Sequence, residues 1–386
     1  MKIGILTYYG DLNCGTNLQA YATLKAVRVA YPHDDVEIIP IHGFRQYKHP
    51  YLSECTPISL YKDLIRINKY CKFHKHLLGV KKDHTILSVD KALRYIDQQG
   101  YDIIFVGADT LLELNRLPKE YDGLSLYWLS TRIKAKIVLL AASSKNVEYD
   151  NLSAKQKSEM EQVVRSYAAI GVRDTATRQL LSHYVDEAEI EVIPDPTFSL
   201  PIDYSHTQRY IERNNLHFPE KCICLHCYKT DSWAGEVAQQ LKKEGYTVVS
   251  LRPAKWADIV LNDMSPLEQA GIFRHFNLIV THRFHEGIYA LKNSTPPLLY
   301  VNGNTNLQTQ SGESKYKSLM SSVGLYESNV IDSGVITAQR ILTAISQAME
   351  TFARNKALIE ENVREKSSLY NDFLQRSKNK IEKSRQ

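Results

Sequence analysis

The chain has 386 residues, 43% of them hydrophobic and 24% charged, the composition of an ordinary globular protein rather than a disordered, collagenous or disulfide-rich one. That length exceeds the size at which a single core stops growing, so two domains are expected. A net charge of +5 is slight for the length and makes no case for nucleic acid as a partner.

The first apolar run, Ile3-Gly4-Ile5-Leu6, is too short for a signal peptide and reads as a core strand. No stretch approaches the roughly 18 apolar residues of a membrane span, so a cytoplasmic protein is expected. Strands are predicted at 2–7, 36–41, 102–106, 136–141, 168–172 and 190–193, with helical patterns at 17–30, 89–98, 153–166 and 175–184 between them. Strands alternating with helices argue for an α/β fold with a parallel, doubly wound sheet. Asp195-Pro196-Thr197-Phe198 breaks the alternation, and the polar stretch from there to 220 reads as a linker. A second series follows: strands at 222–227, 247–251, 277–281 and 297–300, and helices at 232–243, 266–273 and 285–292. After Gly334 the pattern is helical and increasingly charged.

The segment with most chemical content is Leu278-Ile279-Val280-Thr281-His282-Arg283-Phe284-His285. An apolar strand ends there and a helix begins, and ligands of open α/β sheets sit at the carboxyl ends of strands. The helix start offers unpaired N–H groups to an anion. Arg283 adds a guanidinium fork suited to carboxylate or phosphate, and His285 can move protons near neutral pH. The competing reading is a structural arginine and a capping histidine. His282 is a second candidate acid, although alternation turns it away from a strand-end cleft.

Other strand ends repeat the design. Gly171-Val172-Arg173-Asp174 places Arg173 toward the cleft, with Asp174 or Thr175 as helix cap. Gly107-Ala108-Asp109 offers Asp109 either to sugar hydroxyls or as a local cap. In the loop after the first strand, Gly10 and Gly15 permit a tight turn, Thr16 or Asn17 caps the helix, and Asn17 and Gln19 are expected on the substrate side. Lys315, after a polar loop at 302–312, adds to an anion site or stays solvated on a helix. Residues 61–82 carry seven Lys or Arg interleaved with Leu64, Ile65, Phe73 and Leu77. Such a segment either touches a membrane surface or packs one face and solvates the other. In Cys222-Ile223-Cys224-Leu225-His226-Cys227, alternation puts Cys222, Cys224 and His226 on one face and Cys227 on the other. Buried thiols are expected there rather than a metal site.

In chain order, Tyr9-Gly10 with Asn17-Leu18-Gln19-Ala20-Tyr21-Ala22, then Gly171-Val172-Arg173-Asp174, Asp195-Pro196-Thr197-Phe198, and Thr281-His282-Arg283-Phe284-His285 with Pro296 resemble the polysaccharide pyruvyl transferase family over most of the chain. The resemblance implies two Rossmann-like doubly wound domains facing a cleft, as in GT-B glycosyltransferases. With it go a first domain at 1–205 on the acceptor side, a second at 206–334 on the donor side, and C-terminal helices at 335–386 packing back on the first. It also implies transfer of pyruvate from phosphoenolpyruvate onto two hydroxyls of a sugar, in a cell-surface polysaccharide or its precursor, giving a cyclic ketal. By the family pattern Arg173, Arg283 and His285 match the residues for phosphoenolpyruvate binding and catalysis, with no metal or other cofactor. The sugar acceptor, nucleotide-linked or lipid-linked, would place the protein at the inner face of the membrane in the second case. The chain departs from the family at Gly107-Ala108-Asp109-Thr110-Leu111-Leu112 and at Ala142-Ser143-Ser144-Lys145, both on the expected acceptor side. Two other readings share the architecture: a nucleotide-sugar glycosyltransferase, and a non-catalytic binding protein of a polysaccharide assembly complex.

Overall fold

The computed structural model describes residues 1–42, 57–81, 84–86, 88–114, 122–145, 147–301 and 315–384. Cys55 and the loop at 302–312 lie outside the described residues. Six parallel strands form the first sheet: β1 (Lys2–Leu6), β2 (Asp35–Ile38), β3 (Ile103–Val106), β4 (Lys136–Ala142), β5 (Ala169–Val172) and β6 (Ile190–Val192), in the order β2-β1-β3-β4-β5-β6. A second parallel sheet contains β7 (Cys222–His226), β8 (Thr247–Ser250), β9 (Ile259–Val260), β10 (Leu278–Thr281), β11 (Pro297–Tyr300) and β12 (Val330–Ile331), in the order β9-β8-β7-β10-β11-β12. Central strands such as β3, Ile-Ile-Phe-Val, are apolar throughout because helices cover both faces of a parallel sheet. The short edge strands β9 and β12 lack that apolar run, and sequence reading missed them.

Helices α1 (Cys14–Ala30), α2 (Pro57–Phe73), α3 (Val89–Gln98), α4 (Ala154–Ser166) and α5 (Thr175–Ser182) accompany the first sheet. The chain then forms α6 (Tyr204–Arg213), α7 (Ala234–Lys243), α8 (Pro266–Ala270), α9 (Phe284–Lys292), α10 (Lys315–Ser321), α11 (Tyr326–Asn329) and α12 (Ala338–Lys383). The polar stretch read as a linker therefore contains α6. Asp203 caps it, and Thr207 and Tyr210 are buried, donating to the Glu268 carbonyl and to Asp263. Its two buried residues among many polar ones hid the helix from a periodicity reading.

The C-terminal segment is one helix of 46 residues crossing both domains. Ile341, Ile345 and Ala348 enter the core of the second sheet, while Tyr370, Phe373, Leu374 and Ile381 bury in the core shared with α1 and the first sheet. It thus packs back on the first domain, as expected, and also straps it to the second. Side chains of β7 alternate as the sequence suggested: Cys222 and Cys224 face the core shared with the first domain, Ile223 and Leu225 the core under α7.

Candidate active site

Both sheets reverse strand order once, between β1 and β3 in the first and between β7 and β10 in the second. Carboxyl ends beside such a switch point leave a crevice where ligands of open sheets bind. The site residues come from these ends, and α9 distributes them. Consecutive residues at its start face different neighbours. Arg283 lines the cleft, Phe284 and His285 press toward the first domain, and Glu286 turns back under β7.

The first group is buried between the domains. Arg173 Nη1 lies 3.3 Å from Asp195 Oδ2 and 3.5 Å from Asp109 Oδ1, and its guanidinium covers the Phe284 ring at 4.9 Å. Asp195 is fixed in turn. Its Oδ1 accepts from the Thr197 amide at 3.0 Å and from the Thr197 hydroxyl at 2.6 Å. His285 Nε2 approaches Asp195 Oδ2 at 3.4 Å, without the alignment of a hydrogen bond. Lys315 Nζ sits over the same Phe284 ring at 5.6 Å. Arg173, Asp195, Phe284 and Lys315 line a cavity of about 140 Å³.

Burial alone would raise the Asp195 carboxyl, but His285, Arg173 and the Thr197 hydroxyl hold it well below the usual carboxylate range. Asp109 is also lowered: burial opposes this, and Arg173, His285 and Lys315 outweigh it. Burial drops the Lys315 ammonium to about 8 against the pull of Asp109, with Arg173, Lys145 and Arg283 pushing the same way as burial. The cluster is thus two ionised carboxylates matched by clustered cations. Asp109, Ala141 and Lys145 all take positive φ (81°, 59° and 56°), conformations that non-glycine residues avoid, at the ends of neighbouring β3 and β4.

A second group lines an adjoining cleft of about 450 Å³, closed by Asp11, Asn13, Arg66 and Tyr70 from the first domain and His226, Arg252, Arg283 and Glu286 from the second. Arg66 donates to the Leu12 carbonyl. Among the described residues no carboxylate pairs with the Arg252 or Arg283 guanidinium, and Arg283 Nε is buried without an acceptor. Glu286 accepts from His226 Nδ1 and Thr281 Oγ1, both at 2.7 Å, and from Gln269 Nε2 at 3.2 Å.

Of the residues singled out in the sequence, Arg173, Asp109, His285 and Lys315 meet in one cluster, and Arg283 stands on the cleft beside it. Lys315 is half-buried over the Phe284 ring rather than out on a solvated helix face. Asp174 caps α5 as expected, accepting from the Thr177 amide at 2.8 Å. Asn17 and Gln19, expected on the substrate side, are fully buried and line neither cavity. Asn17 is wholly buried, donating to the carbonyls of Asp11 and Asn13 and receiving His74, while Gln19 donates to Thr7 and Tyr8 and accepts from the Ala108 amide. Their amides hold the strand-end loops in shape because a buried amide must be satisfied internally. Capping also falls earlier than expected. Asn13 accepts from Gly15 and Thr16, so α1 starts at Cys14. His282 is buried, stacked on Tyr228 at 3.5 Å with an interplanar angle of 26°, and burial drives its pKa far down. Sequence reading missed Glu286, Arg252 and Arg66. Arg252 had a signal, since it follows a strand end just as Arg173 and Arg283 do. The basic run at 61–82 proves partly inward: Arg66 and Tyr70 line the cleft and Lys69 pairs with Glu268 at 2.7 Å. Among the described residues no group of three or more His, Cys, Asp or Glu is placed to hold a metal.

Gly15 lets α1 approach α9. A Cβ there would stand 2.5–2.6 Å from the His285 ring. Gly15→Ala is therefore expected to displace His285, cut turnover by up to ~10²-fold and cost about 1–3 kcal/mol of stability through overpacking. Steady-state rates beside a thermal melt check this, and an unaffected rate would show that the ring moves without consequence.

Two Rossmann-like domains with their strand ends across a cleft and helix α12 strapping both define a GT-B-like enzyme architecture. Solved structures agree on the fold. The UDP-GlcNAc 2-epimerase from Neisseria meningitidis bound to UDP-GlcNAc is similar at a TM-score of 0.56 and 10% identity, over 97% of this chain and 99% of that one. The spinosyn forosaminyltransferase SpnP is similar at 0.55 and 12%, over 99% of each chain. The Methanocaldococcus jannaschii UDP-GlcNAc 2-epimerase is similar at 0.53 and 11%, over 92% and 99%. A search of curated protein sequences found no match. Residues 13–304 match the polysaccharide pyruvyl transferase family, and the chain belongs to it. It is a pyruvyl transferase.

Proposed function

We propose that the donor is phosphoenolpyruvate, held at the seam between Arg173, Lys315 and Arg283, and that His285 is its proton donor. The observation that carries this is the cross-domain cluster in which Asp195 holds His285 beside Arg173 and Lys315. Phosphoenolpyruvate brings a carboxylate and a phosphate, which suit guanidinium forks and an ammonium. Its C2 becomes electrophilic when the methylene carbon is protonated, and a histidine beside a fixed carboxylate supplies that proton. Two hydroxyls of a sugar in a polysaccharide or its precursor then replace phosphate at C2 and close the ketal. Phosphoenolpyruvate is a substrate here, and the scheme needs no cofactor. Where the acceptor is lipid-linked, the exposed Leu60, Tyr61 and Leu64 on α2, the helix whose Arg66 and Tyr70 line the cleft, form the edge that meets the bilayer. Among the described residues no helix is long and apolar enough to cross a membrane.

The test is thermal stabilisation of the protein by phosphoenolpyruvate beside UDP, GDP and CMP, since a ligand of the native state stabilises it by mass action. Phosphoenolpyruvate is expected to raise the Tm of the wild type, less so for Arg283→Lys because a point charge cannot replace the fork, and not at all for Arg283→Ala. A shift with a nucleotide alone would select the glycosyltransferase reading. Binding of a sugar acceptor without phosphate release from phosphoenolpyruvate would select a non-catalytic protein.

A further inference from the structure

The acceptor hydroxyl must lose its proton as it attacks, and neither Arg173 nor Arg283 can take it. His226, at the carboxyl end of β7, is 6% exposed and lines the cleft of about 450 Å³. Its Nδ1 meets Glu286 Oε2 at 2.7 Å, while its Nε2 is buried with no hydrogen-bond partner. Glu286 also accepts from Thr281 and Gln269, so its position is fixed by three donors. An ionised carboxylate can only accept, so Nδ1 carries the proton and the lone pair is left on Nε2. A buried nitrogen kept unsatisfied beside a ligand cleft is what a base awaiting a substrate hydroxyl requires.

We propose that His226, oriented by Glu286, is the general base that accepts the proton of the attacking acceptor hydroxyl. The proposal rests on phosphoenolpyruvate being the donor. In the first step the hydroxyl oxygen bonds to C2 and its proton passes to His226 Nε2. The C2–C3 π electrons take a proton from His285, leaving a tetrahedral centre that still bears phosphate. In the second step the C2–O bond to phosphate breaks and phosphate departs with the electron pair and the proton from His226. The second hydroxyl then bonds to C2, its proton restoring His285. Of the two hydroxyl protons, one ends on the new methyl group and one on phosphate.

The surroundings of His226 agree. Burial lowers its pKa, and the Arg252 and Arg283 charges lower it further against the pull of Glu286. His282, with ring centroids 5.7 Å away, is itself held neutral, while Arg66 and Lys229 on the cleft wall add positive charge and Asp11 negative. His226 is thus held neutral, as a base near neutral pH must be.

The test compares the wild type with His226→Gln and Glu286→Gln in phosphate release from phosphoenolpyruvate, using a panel of methyl hexopyranosides as acceptors across the neutral pH range. His226→Gln is expected to lose ~10²–10⁴-fold in kcat and the acid limb of the pH profile, while stabilisation by phosphoenolpyruvate persists. Imidazole added to His226→Ala is expected to restore turnover, which a merely structural role would not allow. Undiminished turnover in His226→Gln would overturn the base while leaving the donor intact. A wild type that phosphoenolpyruvate does not stabilise would instead remove the donor reading itself. Independently of any acceptor, ¹⁵N-histidine spectra of the whole protein must show His226 neutral near pH 7 with its proton on Nδ1. A charged ring or the opposite tautomer overturns the proposal.

Discussion

Replacing His285 with alanine is expected to lower turnover by ~10²–10⁴-fold, the usual worth of a positioned general acid, while phosphoenolpyruvate still stabilises the protein. The split between rate and binding follows from geometry. The cations proposed to hold the donor, Arg173, Lys315 and Arg283, stay in place without the ring: Arg173 keeps Asp195 and Asp109, and Lys315 keeps Phe284. The rival acid, His282, is packed against Tyr228 in a site whose burial opposes its charged form, so it is a poor proton donor near neutral pH. Kinetics of His285→Ala and His282→Ala with matched thermal shifts decide between them. A dead His282 variant beside an active His285 variant would reverse the assignment.

Asp195→Ala is expected to have the largest effect on stability, a loss of about 3–5 kcal/mol, because it strands a buried guanidinium. Arg173 is 8% exposed, and Asp195 is the nearer of its two carboxylates. The change also removes the acceptor of both Thr197 bonds, freeing the short turn that follows. That turn is held from the other domain, where Lys292 at the end of α9 donates to the carbonyls of Thr197, Phe198 and Leu200. Urea unfolding measures the loss, and a change below about 1 kcal/mol would mean that Asp109 alone suffices for Arg173. The pH dependence has a definite sign. The folded Asp195 pKa lies below the unfolded value of about 3.9, so its contribution is present above that pH and disappears as pH falls through the folded value. Asp195→Asn should flatten that part of the acid unfolding curve.

Much of this could be read from the chain. The alternation of apolar runs with amphipathic ones placed most strands and helices to within a few residues, because burial on both faces of a parallel sheet writes itself locally into the sequence. The arginines at 173 and 283 stood out for the same reason: each comes within two residues of the carboxyl end of a strand, which must face the cleft. Side-chain type likewise marked Asp174 as a cap.

Direction and partnership were not local properties. Over residues 282–286 each side chain finds a different neighbour, and only packing between the domains decides that His285 reaches Asp195 while Glu286 reaches His226. Asn17 and Gln19 look like ligand-binding amides in one dimension and prove to be internal braces, because the groups they satisfy lie in loops brought together by the sheet. Gly15 shows its purpose only when α9 lies against α1. Arg66 enters the cleft from a helix more than 150 residues before Arg252 and Arg283, and no spacing in the chain records that meeting. The sequence by itself therefore determined the two doubly wound sheets, the family, and the strand ends that carry chemistry. The tertiary structure alone decided which charges are paired and which face the cleft, since pairing depends on distances across the domain interface rather than on periodicity along the chain.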